Sequence, residues 1–297
     1  MPHRAAMPTR PELPPTRALV WLYTPAAQRP VFAALCAIEA QVTASINSRL
    51  DHELAHARLG WWREECARAA QGKPTHPLTQ TLAASFSACG LTVPTGLSGF
   101  VDTATWDLAA ATCETRAQLA AYCERWADAM ITPIAQLAAA VDAPARAALT
   151  SAALAPSRKL GAALREIDLL ANLAGDAALG RVRVALADLA AAHTLPEQLA
   201  QPPWPEPLAA QLRTRLQLLR AELAAGVGEL PRQLQPALRG VLVWARLAAA
   251  QSLRCERALP RALETRDHHR PMDSWWAWNA ARRAAAGRFA LAGDSRA

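Results

Sequence analysis

The sequence predicts an all-α protein, and three observations carry that prediction. Apolar residues fill 52% of its 297 positions, and much of that fraction is alanine, the residue with the strongest intrinsic helix preference. Glycine is sparse, at 13 residues, and runs of β-branched residues, which favour strands, are few. Apolar positions recur at helical spacing between short breakers, with no alternating strand pattern and no internal repeat. The apolar fraction is enough for a real core, and the length allows one large domain or two small ones.

The elements follow in order. Residues 1–16, within "MPHRAAMPTRPELPPTR", read as a disordered proline-rich leader without the apolar core of a signal peptide. Helical patterns then cover 30–47, with Pro30 suited to a first turn, and 50–71, ended by "GKPTHP". Residues 77–89 stop at Gly90 and Pro94. Next come 96–112, 115–141 and 144–155. A helix over 157–178 is expected to start after Pro156, with Ser157 as its cap. "RVRVALADLAAAHTLPEQL" reads as a turn and a short helix, and "AQPPWPEP" at 200–207 is the strongest internal breaker. Helices over 208–226 and 231–264 follow, then a Trp/Arg-rich helix and tail over 265–297.

Charge and cysteine usage narrow the function classes. The net charge is +7 and the isoelectric point about 9.6, and lysine occurs only at Lys73 and Lys159. Guanidinium groups suit phosphate and carboxylate recognition, although an arginine-rich composition alone explains the balance. No basic stripe with interleaved aromatics appears, so nucleic acid is not an expected partner. Six cysteines lie scattered without a C-x-x-C pair, which fits buried thiols in a reducing compartment. No stretch approaches the roughly 20 apolar residues of a spanning helix; even "GVLVWARLAAA" is broken by Arg246. These features predict a cytoplasmic protein, with peripheral contact at the inner membrane left open.

"LDHELAHARLGWWREE" contains a His-Glu-x-x-His, namely His52, Glu53 and His56. Two histidines one helical turn apart can share a zinc ion, and the glutamate could activate its water. Against a zinc hydrolase, the apolar stripe of this helix reads as Leu50, Leu54, Ala57 and Trp61, opposite the histidines. Arg63 on the histidine side would repel the ion. The candidates for a third ligand, His76, Glu64 and Glu65, sit in no second motif. A solvated helix face is the simpler reading, and zinc hydrolysis is kept as a minor alternative.

"RKLGAALREIDLLANLAGDAALGRVRVALADL" at 158–189 resembles the second half-site of the squalene/phytoene synthase family, where Leu-Gly precedes an N-x-x-x-D-x-x-x-D ladder and a Gly-Arg. "LYTPAAQRPVFAALCAIEAQV", "RLGWWREECARAAQGKPTHPL", "TWDLAA" and "LAAYCERWADAM" resemble its earlier segments in the same order. The resemblance implies a single-domain isoprenoid-synthase-like helical bundle around a central cavity, covering 17–264. It implies no zinc on the 50–71 helix. Active members condense two prenyl diphosphates, with Mg²⁺ ions held by two facing carboxylate ladders. Hard cations need such oxygen ligands to neutralise the leaving diphosphate.

The resemblance can be carried over position by position. The first ladder falls on "EAQVTASIN", where its arginine becomes Ala40, its paired aspartates Thr43 and Ala44, and its last aspartate Asn47. Glu39 is the acid nearby, at a position where the family has no ligand. The second ladder falls on Asp168, Asn172 and Asp176, candidate Mg²⁺ ligands beside the apolar stripe Leu160, Leu164, Ile167 and Ala171. Arg181 is the candidate diphosphate contact. The leading expectation is therefore a family member without normal prenyltransferase activity, acting as a binding or assembly factor. Its cavity would hold an isoprenoid diphosphate or lipid, and its surface a protein partner. The family includes non-catalytic relatives that assist assembly of respiratory complex I. The alternative is an isoprenoid-biosynthesis prenyltransferase or diphosphate-binding enzyme with altered metal use.

In "DSWWAWNAARRAAAGRF", Trp275, Trp278 and Arg282 fall on one helical side, and Arg282, Arg283 and Arg288 close the segment. Tryptophan and arginine together suit an anionic membrane surface. Docking of the tryptophans onto the parent bundle is the plainer expectation.

Overall fold

A computed structural model describes residues 13–46, 51–140, 146–263 and 270–291. These contain thirteen α-helices, short 3₁₀ turns and no strand. The helices are α1 (Pro15–Tyr23), α2 (Arg29–Ala44), α3 (His52–Ala70), α4 (Pro77–Ser87), α5 (Gly99–Leu108), α6 (Arg116–Met130) and α7 (Thr132–Ala139). They continue as α8 (Arg146–Ala171), α9 (Leu173–Ala178), α10 (Leu186–Ala191), α11 (Glu206–Glu229), α12 (Arg239–Ala258) and α13 (Pro271–Ala285).

Helix α8 is the organising element, packed against α6, α7, α11 and α12. Its stripe Leu160, Leu164, Ile167 and Ala171 is buried, as the 3.6-residue period predicts. Gly161 allows the close crossing with α6: a Cβ there would lie 2.6 Å from the Ala127 Cβ and 2.9 Å from Ile131. On the other side of the interior, α2 buries Phe32, Leu35, Ile38 and Val42 and packs on α4 and α5.

Several expected boundaries differ. Helix α1 begins at Pro15, inside the expected leader, because proline fits a first helical turn; residues 1–12 lie outside those described. Pro156 does not divide two helices, since α8 runs through it. Its missing N–H forfeits one helical bond, but the segment is clamped by tertiary packing. Gly226 of α11 lies close enough that an added Cβ would sit 3.3 Å from Leu160 and 3.5 Å from the Pro156 carbonyl. Ser157 is therefore a buried mid-helix residue rather than a cap, and its hydroxyl has no partner.

The pattern at 115–141 is two helices, divided at Ile131 ahead of Thr132-Pro133. The pattern at 157–178 divides at Asn172, between α8 and α9. Residues 231–264 hold a 3₁₀ turn and then α12. The apolar face of α3 also differs. Ala55, Leu59, Trp62, Cys66 and Ala69 are buried, while Leu54 and Trp61 are exposed. The helix rolls to seat the buried carboxylate of Glu65 together with Trp62, which a count of apolar residues does not reveal. Leu50 lies outside the described residues.

Candidate functional site

The interior between α2, α6, α8 and α12 is polar and bridged by ion pairs. Glu39 projects from α2 toward α8. It accepts a hydrogen bond from the Trp126 indole N–H at 2.6 Å and pairs with Arg17 of α1 at 3.0 Å. Arg165 of α8 approaches the same carboxylate at 4.0 Å. The Arg17 guanidinium also lies 4.2 Å from the centre of the Trp244 ring and 5.6 Å from that of Trp126. Arginine suits this place because a delocalised cation stacks on indole faces while donating to a carboxylate.

A second group of charges adjoins the first. Arg183 grips Asp107 with both terminal nitrogens, at 2.6 and 2.9 Å, and its Nε donates to Asp176 at 3.3 Å. The Tyr122 hydroxyl donates to Asp107 at 3.2 Å and accepts from Arg183 at 3.3 Å. Arg165 joins the two groups, reaching the Tyr122 hydroxyl at 3.5 Å and Asp168 at 3.4 Å. Arg181 lies 3.9 Å from Asp176, just past the turn where Gly180 takes a φ of +77° that side chains disfavour.

Electrostatics keep these cations charged. Burial works against a charged Arg17, but Glu39, Cys36 and Asp168 hold its pKa above the ordinary arginine value. Burial likewise opposes the charge on Arg165, and Tyr122, Asp168 and Glu39 raise it. At Arg183, burial is opposed first by the hydrogen bonds to Asp107. Burial pushes the Tyr122 phenol upward, so it stays a neutral donor.

The expected ligand positions fall as follows. Ala40, Thr43 and Ala44 are exposed on α2 and carry no charge; Asn47 lies outside the described residues. The Asp168 side chain is half exposed, at 50%. Asn172 is exposed and donates to the Asp168 carbonyl at 2.8 Å. Asp176 is mostly covered and held by Arg183 and Arg181. The helical break leaves the three positions connected, since the Asp176 N–H donates to the Asn172 carbonyl at 2.9 Å.

Mg²⁺ would need several carboxylate oxygens free to bind it. Here four guanidinium groups (Arg17, Arg165, Arg181, Arg183) meet four carboxylates (Glu39, Asp107, Asp168, Asp176), and each carboxylate already has an arginine within 4.0 Å. Among the described residues, no group of three or more His, Cys, Asp or Glu side chains is arranged to hold a metal. The residues present therefore do not fit a two-sided Mg²⁺ cluster.

Sequence reasoning singled out Asp168, Asp176 and Arg181 but missed Arg17, Arg165 and Arg183 as their counter-charges. The signal was present in part. Asp107 belongs to "TWDLAA" and Tyr122 to "LAAYCERWADAM", two stretches that carried the resemblance, and both converge on Arg183.

His52 and His56 are exposed on α3 with their Nε2 atoms 3.1 Å apart, well outside this interior. Arg63 is bound to Asp102 at 2.7 Å. The six cysteines are free, and no described helix is long and apolar enough to cross a membrane.

An all-α bundle that sets α2 opposite α8 across a polar interior is an isoprenoid-synthase fold. Within that class, the chain belongs to the squalene/phytoene synthase family, whose sequence model matches residues 14–276. The fold is shared by solved structures, two of which are as follows. A dehydrosqualene synthase in complex with ligand superposes with a TM-score of 0.69 at 16% identity, covering 91% of this chain and 90% of that one. The squalene synthase HpnC from Alicyclobacillus acidocaldarius superposes with a TM-score of 0.58 at 21% identity, covering 81% and 87%. No curated protein matches the chain significantly.

Proposed function

We propose that this chain has left head-to-head prenyl condensation and works as a binding or assembly factor. Its interior would receive an isoprenoid diphosphate or a lipid, and its surface a protein partner, in the cytoplasm or on the inner membrane. One observation carries the reading. The inward-facing acid of α2, Glu39, is tied to Arg17, Trp126 and Arg165, on the wall where active relatives hold metal. Removing even one preorganised electrostatic contact commonly lowers turnover by about 10²–10³-fold, and here the first ladder carries no carboxylate at Thr43, Ala44 or Asn47.

A radiolabelled prenyl diphosphate incubated with the protein and Mg²⁺ or Mn²⁺ tests this. The expected result is no condensed hydrocarbon or cyclopropyl intermediate above the no-enzyme background. Product that is lost in Asp168→Asn would establish the alternative, an enzyme with altered metal use. That alternative is favoured by the exposure of Asp168 and Asn172, which leaves one half-site reachable.

A further inference from the structure

Helix α13 is mounted with its small residues inward and its large apolar residues outward. Ala277, Ala280, Ala281 and Ala284 are buried, and α13 packs chiefly against α12. Asp273, 2% exposed, fixes the start of the helix through its 2.9 Å pair with Arg254. On the outer side, Met272, Trp275 and Trp278 lie at i, i+3 and i+6 and are 54%, 51% and 48% exposed. A helix whose sole role was to cover the bundle would bury its tryptophans, since they release the most apolar surface from water.

The exposed charges that residues 270–291 carry have one sign. Arg282 sits over the Trp278 ring at 5.1 Å, and Arg282, Arg283 and Arg288 are exposed. The acid within residues 270–291 is Asp273, which is buried and paired. Trp276 stands apart from the face, covered by the Arg246 guanidinium at 4.3 Å.

We propose that the outer face of α13 docks on an anionic lipid surface. Tryptophan favours the bilayer interface because its ring is apolar and its N–H seeks a polar neighbour. Methionine adds apolar depth, and the arginines meet lipid phosphates on the same side. Charge complementarity selects a lipid surface over a second copy of this face, which would bring Arg282 and Arg283 against their own equivalents. The inference is independent of what the interior binds or catalyses.

The test uses the full chain with phosphatidylcholine vesicles, with and without phosphatidylglycerol. The protein should sediment at least about tenfold more with the anionic vesicles, and added salt should weaken binding. Brominated lipid should quench its tryptophan fluorescence. Trp275→Ala/Trp278→Ala and, separately, Arg282→Glu/Arg283→Glu should each lose most of the binding at unchanged melting temperature. Equal sedimentation with neutral vesicles, absence of quenching, or unaltered binding by both variants would overturn the proposal. So would concentration-dependent self-association that the tryptophan variant abolishes while lipid binding is absent. The quenching arm uses the wild-type chain and decides the matter even if a variant folds poorly.

Discussion

Glu39 of α2 and Arg165 of α8 reach toward each other at 4.0 Å, between the helix that carries Ala40, Thr43 and Ala44 and the helix that carries Asp168. Arg17 and Trp126 complete the hold on the same carboxylate. Cutting this acid to Glu39→Ala takes the carboxylate from the mostly buried Arg17 guanidinium and the acceptor from an indole N–H, while Arg165 keeps Asp168 and the Tyr122 hydroxyl. Breaking a buried pair from one side costs about 3–5 kcal/mol, and the residual exposure of these groups (15–18%) places the expectation toward the lower end. Urea denaturation of the variant should show this loss. A change below about 0.5 kcal/mol, the scatter of ordinary surface substitutions, would mean that the contacts are incidental.

Glu65 offers a pH test. Its carboxylate is fully buried on α3, accepts backbone N–H bonds from Thr75 and His76 at 2.8 and 2.9 Å, and is bonded by the Thr75 and Thr79 hydroxyls. Arg68 pairs with it at 2.8 Å. Burial alone would raise its pKa, but these hydrogen bonds lower it from 4.5 to about 2. A depressed folded-state pKa stabilises above the unfolded value, so the contribution is complete above pH 4.5 and fades as pH falls toward 2. At 1.36 kcal/mol per pKa unit it amounts to about 3 kcal/mol. Wild-type stability should fall across that window, and the Glu65→Gln variant should be less stable at neutral pH with a flatter acid limb. Parallel acid limbs would show that other carboxylates set the behaviour.

The helical class was legible because alanine abundance, scarce glycine and helical periodicity all agree. The stripe Leu160, Leu164, Ile167 and Ala171 was legible for the same reason, and all four residues are buried. Pro156 misled because its local cost is real, and only the packing of α11 at Gly226 shows how the helix continues. The interior ion network was not legible. Arg165 and Arg183 look like ordinary surface cations in sequence; Asp168 and Asp176 are near them, but the partners that close the network, Tyr122 and Asp107, lie 43 to 76 positions away. Charge pairing over such separations has no local periodicity to betray it.

Gly161→Ala should destabilise without touching the charged site. The added methyl meets Ala127 and Ile131 at distances below normal contact, and both residues are fully buried. Inserting a group into a close-packed crossing typically costs about 1–3 kcal/mol. Thermal unfolding reads the effect directly. A melting temperature equal to wild type would mean that α6 and α8 separate easily at this point.

Zinc should not remain bound at one equivalent after purification without chelators and dialysis, although "HELAH" spells a metal motif. His52 and His56 stand close enough to share an ion, with Nε2 atoms 3.1 Å apart, but two exposed imidazoles supply half of a tetrahedral shell. Two of the three candidates for the third position, His76 and Glu65, are held elsewhere, and the third, Glu64, is an exposed side chain in a surface pair. His76 caps α4, its Nδ1 accepting from the Leu78 N–H at 3.2 Å, and its ring lies 5.1 Å from that of Trp62. Glu64 pairs with Arg68 at 3.5 Å, and Glu65 is locked in the buried latch with Thr75 and Thr79. Freeing either His76 or Glu65 would unpick the junction of α3 and α4, a cost that binding by the exposed pair would have to offset. Elemental analysis of the dialysed protein should therefore find well under one zinc per chain, with His56→Ala indistinguishable from wild type. Stoichiometric zinc that disappears in His56→Ala would show that Glu64 or an opened α3–α4 junction completes the shell, and the hydrolase reading would return.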